Sequence, residues 1–103
     1  MASIQIANSA KRDFREIFNF ISKQSIQNAE QLISTLKKEI LILEKYPEIG
    51  HIAKEINDPE FREIKVYQYR VIYFFQDDKV SKITIHHSSR VLKNNPHFKY
   101  FFE

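Results

Sequence analysis

The chain has 103 residues, with one glycine, no cysteine, no tryptophan and three prolines. Average usage gives about seven glycines at this length, so glycine-rich phosphate-cradling and dinucleotide-binding loops are excluded, and the lack of cysteine excludes disulfides, thiol nucleophiles and cysteine-based zinc sites. Lys and Arg outnumber Asp and Glu by 16 to 13, a mild basic excess that permits a polyanionic partner without the dense footprint that would demand one.

Ser3 to Ala7 alternates polar and apolar residues, with β-branched Ile4 and Ile6, and predicts a short strand. Asn8 or Ser9 is then a candidate cap for a helix whose apolar face is Ala10, Phe14, Ile17, Phe18 and Ile21. After the polar break Ser22–Ser25, Ser25 is the expected cap of a second helix. Its seam is Ile26, Ala29, Ile33, Leu36, Ile40 and Leu43, in steps of three and four, and it stops at Tyr46-Pro47. The short connection makes the two helices an antiparallel hairpin.

From Pro47 to Phe61 the pattern breaks around Gly50, Asn57, Asp58 and Pro59. The period then switches to two. Arg62, Ile64 and Val66 share one face, and Glu63, Lys65 and Tyr67 the other. Tyr69–Phe75 is apolar on both faces, as a central strand requires. Gln76–Lys79 reads as a hairpin turn, and Val80–His87 as the last strand. In that strand Ile83, Ile85 and His87 share one parity, with Lys82, Thr84 and His86 on the other. Asn95-Pro96 suits the start of a short terminal helical turn. The expected fold class is α+β, in the order β-α-α-β-β-β, with an N-terminal helical hairpin packed on an antiparallel sheet. A chain of this length supports one core, so residues 1–103 are expected to form a single domain.

This order, with specific residues, resembles the RelE/ParE superfamily of bacterial toxins from toxin–antitoxin (plasmid stabilisation) modules. The matching stretches are Phe14 to Ile21, Ala29, Leu43…Tyr46-Pro47…Gly50, Phe61-Arg62-Glu63-Ile64, Tyr69-Arg70-Val71-Ile72-Tyr73 and Ile85-His86-His87-Ser88-Ser89-Arg90. The Leu…Pro…Gly segment looks more like the ParE side. The resemblance implies a growth-inhibiting protein neutralised by a cognate antitoxin, forming a heteromer with it. ParE-type members are associated with DNA gyrase poisoning. RelE-type members cleave mRNA on the ribosome without metal, so the family leaves open whether this chain is an enzyme. A third reading is a non-toxic binding module on the same fold.

Metal-free RNA cleavage needs a base, an acid and cations for the phosphorane. The candidates are His86 and His87 as acid or base and Glu63 as a base, with Arg62, Lys65, Arg70 and Arg90 as cations. In the resemblance, Lys65 corresponds approximately to a lysine of the RelE ribonuclease strand. Arg62, Arg70 and Arg90 are also candidates for binding the target or a nucleic acid, since guanidinium matches phosphate. His86, on the side of Lys82 and Thr84, is expected to be the more accessible histidine, and His87 half-buried at the strand end. Arg70 within an apolar strand is either functional or ion-paired, with Glu63 or Asp77 as partner. No metal site and no cofactor are expected, because adjacent strand residues face opposite ways. The dense basic C-terminus of the RelE ribonuclease is missing after Arg90.

The aromatic tail offers Phe98, Phe101 and Phe102 either as an antitoxin-binding patch or as a turn folded onto the sheet. No apolar run approaches the ~20 residues of a membrane span, and no secretory signal opens the chain. A cytoplasmic location is therefore expected. Gly50, the single glycine, is expected to occupy a turn at positive φ.

Overall fold

The computed structural model describes residues 1–88. The elements are β1 (Ser3–Ile4), α1 (Asn8–Ser22), α2 (Ile26–Ile42), β2 (His51–Ile52), a 3-10 turn at Lys54–Ile56, β3 (Phe61–Val66), β4 (Tyr69–Gln76) and β5 (Lys79–His87). The five strands form one sheet in the order β1-β5-β4-β3-β2. This is the expected α+β arrangement with two refinements. The sheet is mixed, because β1 pairs with β5 in parallel. It also gains β2 from a segment whose turn-forming residues concealed a two-residue strand.

Ser25 caps α2 as its sequence position suggests, its side chain accepting the Asn28 N–H. The α1 cap differs. Ala7 is the capping residue and makes no side-chain bond, while Asn8 and Ser9 lie inside the helix. Helix α2 ends at Ile42 rather than at Tyr46-Pro47, and its last carbonyl accepts the N–H groups of Lys45 and Tyr46 in a turn.

One face of the sheet carries the hairpin. Ala10 and Ile17 of α1, with Leu36 and Ile40 of α2 and Leu43 just beyond it, meet Val66, Val71, Tyr73, Val80, Ile83 and Ile85. Each fully buried aliphatic side chain there contributes about 1.5–3 kcal/mol relative to exposure. Val80 and Ile83 have opposite sequence parity yet share this face. The cause is a bulge in β5, where Lys82 has φ +52° and the register shifts between Ile72 and Phe74. On the opposite face, Ala53 and Ile56 from the segment after β2 pack over Phe61 and Ile72.

Gly50 is buried but does not have positive φ, so the expected turn conformation is not what fixes glycine there. The cause is space. A Cβ would stand 2.7 Å from the Tyr73 hydroxyl and 2.8 Å from the Glu63 carbonyl oxygen. Positive φ falls instead on Asn57, Tyr67, Asp77, Asp78 and Lys82. Asp77 and Asp78 make the β4–β5 hairpin turn, where two successive positive φ values match the twist of the strands.

Candidate functional site

Three of the candidate residues come together through strand register. Lys65 on β3 pairs with Arg70 on β4, and Arg70 pairs with His86 on β5. Alternation along each strand puts this row on the sheet face away from the helices. Two cations placed directly opposite each other repel, and the neighbouring carboxylates offset that repulsion.

Arg70 is held from two sides. Its Nε donates to Glu63 Oε2 at 2.6 Å and its Nη2 to Glu63 Oε1 at 3.1 Å, a bidentate grip within the sheet. From the 3-10 turn, Glu55 takes Nη1 at 2.8 Å and Nη2 at 3.0 Å. The Glu63 hydrogen bond, aided by Glu55, holds the guanidinium in its charged form well above the ordinary arginine range. In return, the hydrogen bond from Arg70 draws the Glu55 carboxyl below its ordinary value of 4.5. Of the two partners expected for Arg70, Glu63 is the one it takes. Asp77 instead lies in the hairpin turn.

His87 is half-buried at the strand end as expected, but His86, expected to be the more accessible histidine, is the more enclosed of the two. His86 is only 1% exposed, and its Nε2 lies 2.9 Å from Thr84 Oγ1, also buried. The segment carrying Ala53, Glu55 and Ile56 packs on the face that the strand pattern alone presents as open. His87, on the helix side, is the more accessible of the two. Its Nε2 is 3.3 Å from Gln68 Oε1, and its ring meets Tyr69 edge-on at 5.4 Å. With Asp13, Glu16, Ile17 and Phe20 it lines a cleft of about 400 Å³.

Arg62 stands apart from the row. It braces the α2–β2 connection, donating from Nη1 to the Gly50 carbonyl at 3.0 Å and the Glu48 carbonyl at 3.2 Å. Lys65 is exposed. Arg90, Phe98, Phe101 and Phe102 lie outside the described residues. Among the described residues no group of three or more His, Asp or Glu side chains is placed to hold a metal ion.

Sequence reasoning missed Glu55, the second arm of the Arg70 clamp, because it sits in an irregular segment with no periodicity to report its direction. It also missed Asp13, a buried carboxylate whose Oδ2 accepts the Ile85 N–H at 3.0 Å. The signal was present, since Asp13 interrupts the apolar stripe between Ala10 and Ile17.

Chemically, the row balances Lys65 and Arg70 against Glu55 and Glu63, and its histidine is enclosed. A phosphate would have to displace two carboxylates to reach Arg70. The arrangement is an ion-paired brace joining β3, β4 and the 3-10 turn.

No helix among the described residues is long and apolar enough to cross a membrane. No curated protein matches the sequence significantly. A family model described as the ParE toxin of type II toxin–antitoxin system, parDE, matches residues 4–92. With the hairpin-on-sheet fold and a match over most of its length, the chain belongs to the ParE toxin family of type II toxin–antitoxin systems.

Proposed function

We propose that this toxin is neutralised by binding a cognate antitoxin and, when released, inhibits an intracellular target of the DNA gyrase class by binding rather than by cutting RNA. The observation that carries this reading is the saturation of Arg70 by Glu55 and Glu63, next to an enclosed His86. A phosphorane-stabilising site needs cations free to meet new negative charge. Here the central cation is already neutralised. Arg62 and Lys65 remain as target-binding candidates, with Arg62 half-buried and Lys65 at the surface.

Induced expression in a bacterial host tests the reading. Growth arrest with intact mRNA, DNA-damage signalling and trapped gyrase–DNA complexes is the expected result. New mRNA ends that disappear in a folded His87→Ala or Lys65→Ala variant would establish the ribonuclease alternative. Normal growth with folded protein would leave the non-toxic binding module.

A further inference from the structure

We propose that residues 53–57 form a strap, latched to the sheet by Glu55 on Arg70, that opens as a unit while the helical hairpin and β3–β5 stay folded. Its opening controls access to Arg70 and His86. The inference goes beyond the toxin reading and holds whatever the target is.

The strap is packed separately from the rest of the molecule. Its buried side chains, Ala53 and Ile56, meet Phe61 and Ile72, with Phe74 at the margin, and none of these residues belongs to the core between hairpin and sheet. Opening therefore gives up the burial of one large aliphatic side chain and one methyl, and leaves the main core unbroken. The strap backbone is mostly bonded to itself. The Ile56 N–H donates to the Ala53 carbonyl at 3.1 Å and the Asn57 N–H to the Lys54 carbonyl at 3.3 Å, while the Ala53 N–H ties it to the sheet at the Phe61 carbonyl, 2.9 Å away.

Both ends are pinned. On one side His51 and Ile52 of β2 pair with Glu63 and Arg62. On the other, Asp58 accepts the Phe61 N–H through its carbonyl at 3.0 Å and the Glu60 N–H through Oδ1 at 2.9 Å. Asn57 turns the chain at φ +57°, a left-handed conformation that asparagine tolerates better than most residues. A short segment fixed at its ends, with few ties between them, opens without unravelling its neighbours.

The latch is made to release. Glu55 holds Nη1 at 2.8 Å and Nη2 at 3.0 Å, yet its side chain is 47% exposed, so water takes over its carboxylate when it leaves. Arg70 keeps Glu63 on Nε and Nη2 from within the sheet whichever way the strap stands. Opening therefore strands no uncompensated buried charge. With the strap closed, Glu55 and Glu63 balance Lys65 and Arg70. With it open, Glu55 swings into solvent, the face gains positive charge, and His86, the register partner of Arg70, is uncovered beside Thr84.

Native-state hydrogen exchange of the full chain, read at Ala53, Ile56 and Asn57, tests the strap. Carbethoxylation by diethyl pyrocarbonate, resolved residue by residue with tandem mass spectrometry, tests what it covers. Circular dichroism confirms folding of Glu55→Gln and Ile56→Ala. In the wild type the strap amides should share one opening, with a smaller denaturant dependence than the amides of β4. Glu55→Gln keeps an oxygen for Arg70 but removes the charge, and should speed strap exchange by about three- to tenfold. The His86 modification rate should rise by the same factor, and that of His87 should not change. Ile56→Ala removes the apolar anchor and should speed both strap exchange and His86 modification by about tenfold or more. Strap amides that exchange only with β4, at the denaturant dependence of global unfolding, would overturn the proposal. So would wild-type strap exchange in Glu55→Gln, which would show that the ion pair is no latch. A His86 rate that does not follow the strap amides would also overturn it, by assigning the enclosure of His86 to another part of the chain.

Discussion

The Tyr73 hydroxyl accepts the Gly50 N–H at 3.0 Å and donates to the Pro47 carbonyl at 2.7 Å, so one buried side chain holds both ends of a tight bend. The loop after α2 is thereby fixed to the central strand. Gly50→Ala is expected to destabilise the protein by about 1–3 kcal/mol through overpacking. Tyr73→Phe should cost about 1–3 kcal/mol, because it leaves the buried Gly50 N–H unpaired. In urea denaturation the double variant should recover only part of the alanine penalty. Removing the hydroxyl relieves one clash, but the Glu63 backbone carbonyl remains 2.8 Å from the new Cβ.

Arg70→Ala should destabilise by about 2–3 kcal/mol, below the 3–5 kcal/mol typical of a fully buried pair, because Glu55 remains in contact with water. Arg70→Lys should recover little, since an ammonium cannot reproduce the bidentate grip on Glu63. Replacing the triad with Arg70→Met, Glu63→Leu and Glu55→Gln should restore most of the stability. Thermal and urea melts of these three variants measure it. Under the proposed function, loss of growth arrest in Arg70→Ala should follow the loss of folded protein and go no further.

The pH profile follows from two groups. Glu55 has a folded pKa below its ordinary value, so its contribution is fully present above about pH 4.5 and is lost as pH falls through the lowered folded value. Glu55→Gln should flatten the acid limb of the stability curve. Burial pushes the Tyr73 phenol above its ordinary value of 10.0. For an acid raised in this way, the contribution is present below pH 10 and is lost as pH rises through the folded pKa. Tyr73→Phe should flatten the alkaline limb. Urea midpoints measured from pH 3 to pH 11 check both signs.

Asp13→Ala should cost about 1–3 kcal/mol by leaving the buried Ile85 N–H without its acceptor. Asp13→Asn keeps a carbonyl oxygen at the same place and should cost less. Hydrogen exchange at the Ile85 amide gives an independent readout, with protection reduced in the alanine variant and largely kept in the asparagine variant.

The fold was legible where periodicity speaks. The seam from Ala29 to Leu43 located α2, and the two-sided apolar run Tyr69–Phe75 located the central strand. The chemistry of the site was less legible, for two physical reasons. The 3-10 turn that brings Glu55 onto Arg70 has no periodic pattern, so the enclosure of His86 could not be read from β5 alone. The bulge at Lys82 breaks simple alternation, and its left-handed residue is a lysine, which carries no turn signal. For Gly50 the unusual position was recognised but its cause was misassigned, because a dihedral preference is local whereas the clash with Tyr73 spans 23 positions.

The parallel pairing of β1 with β5 also orders events in time. Ser3 and Ile4 are made 76 residues before their partners Lys79 and Val80. Hairpins β3–β4 and β4–β5 close over short loops, whereas β1 must wait for a closure spanning nearly the whole described chain. The acceptor on Asp13 waits in the same way for Ile85. A nascent chain halted before β5 therefore lacks the strand on which β1 pairs and the seat for α1.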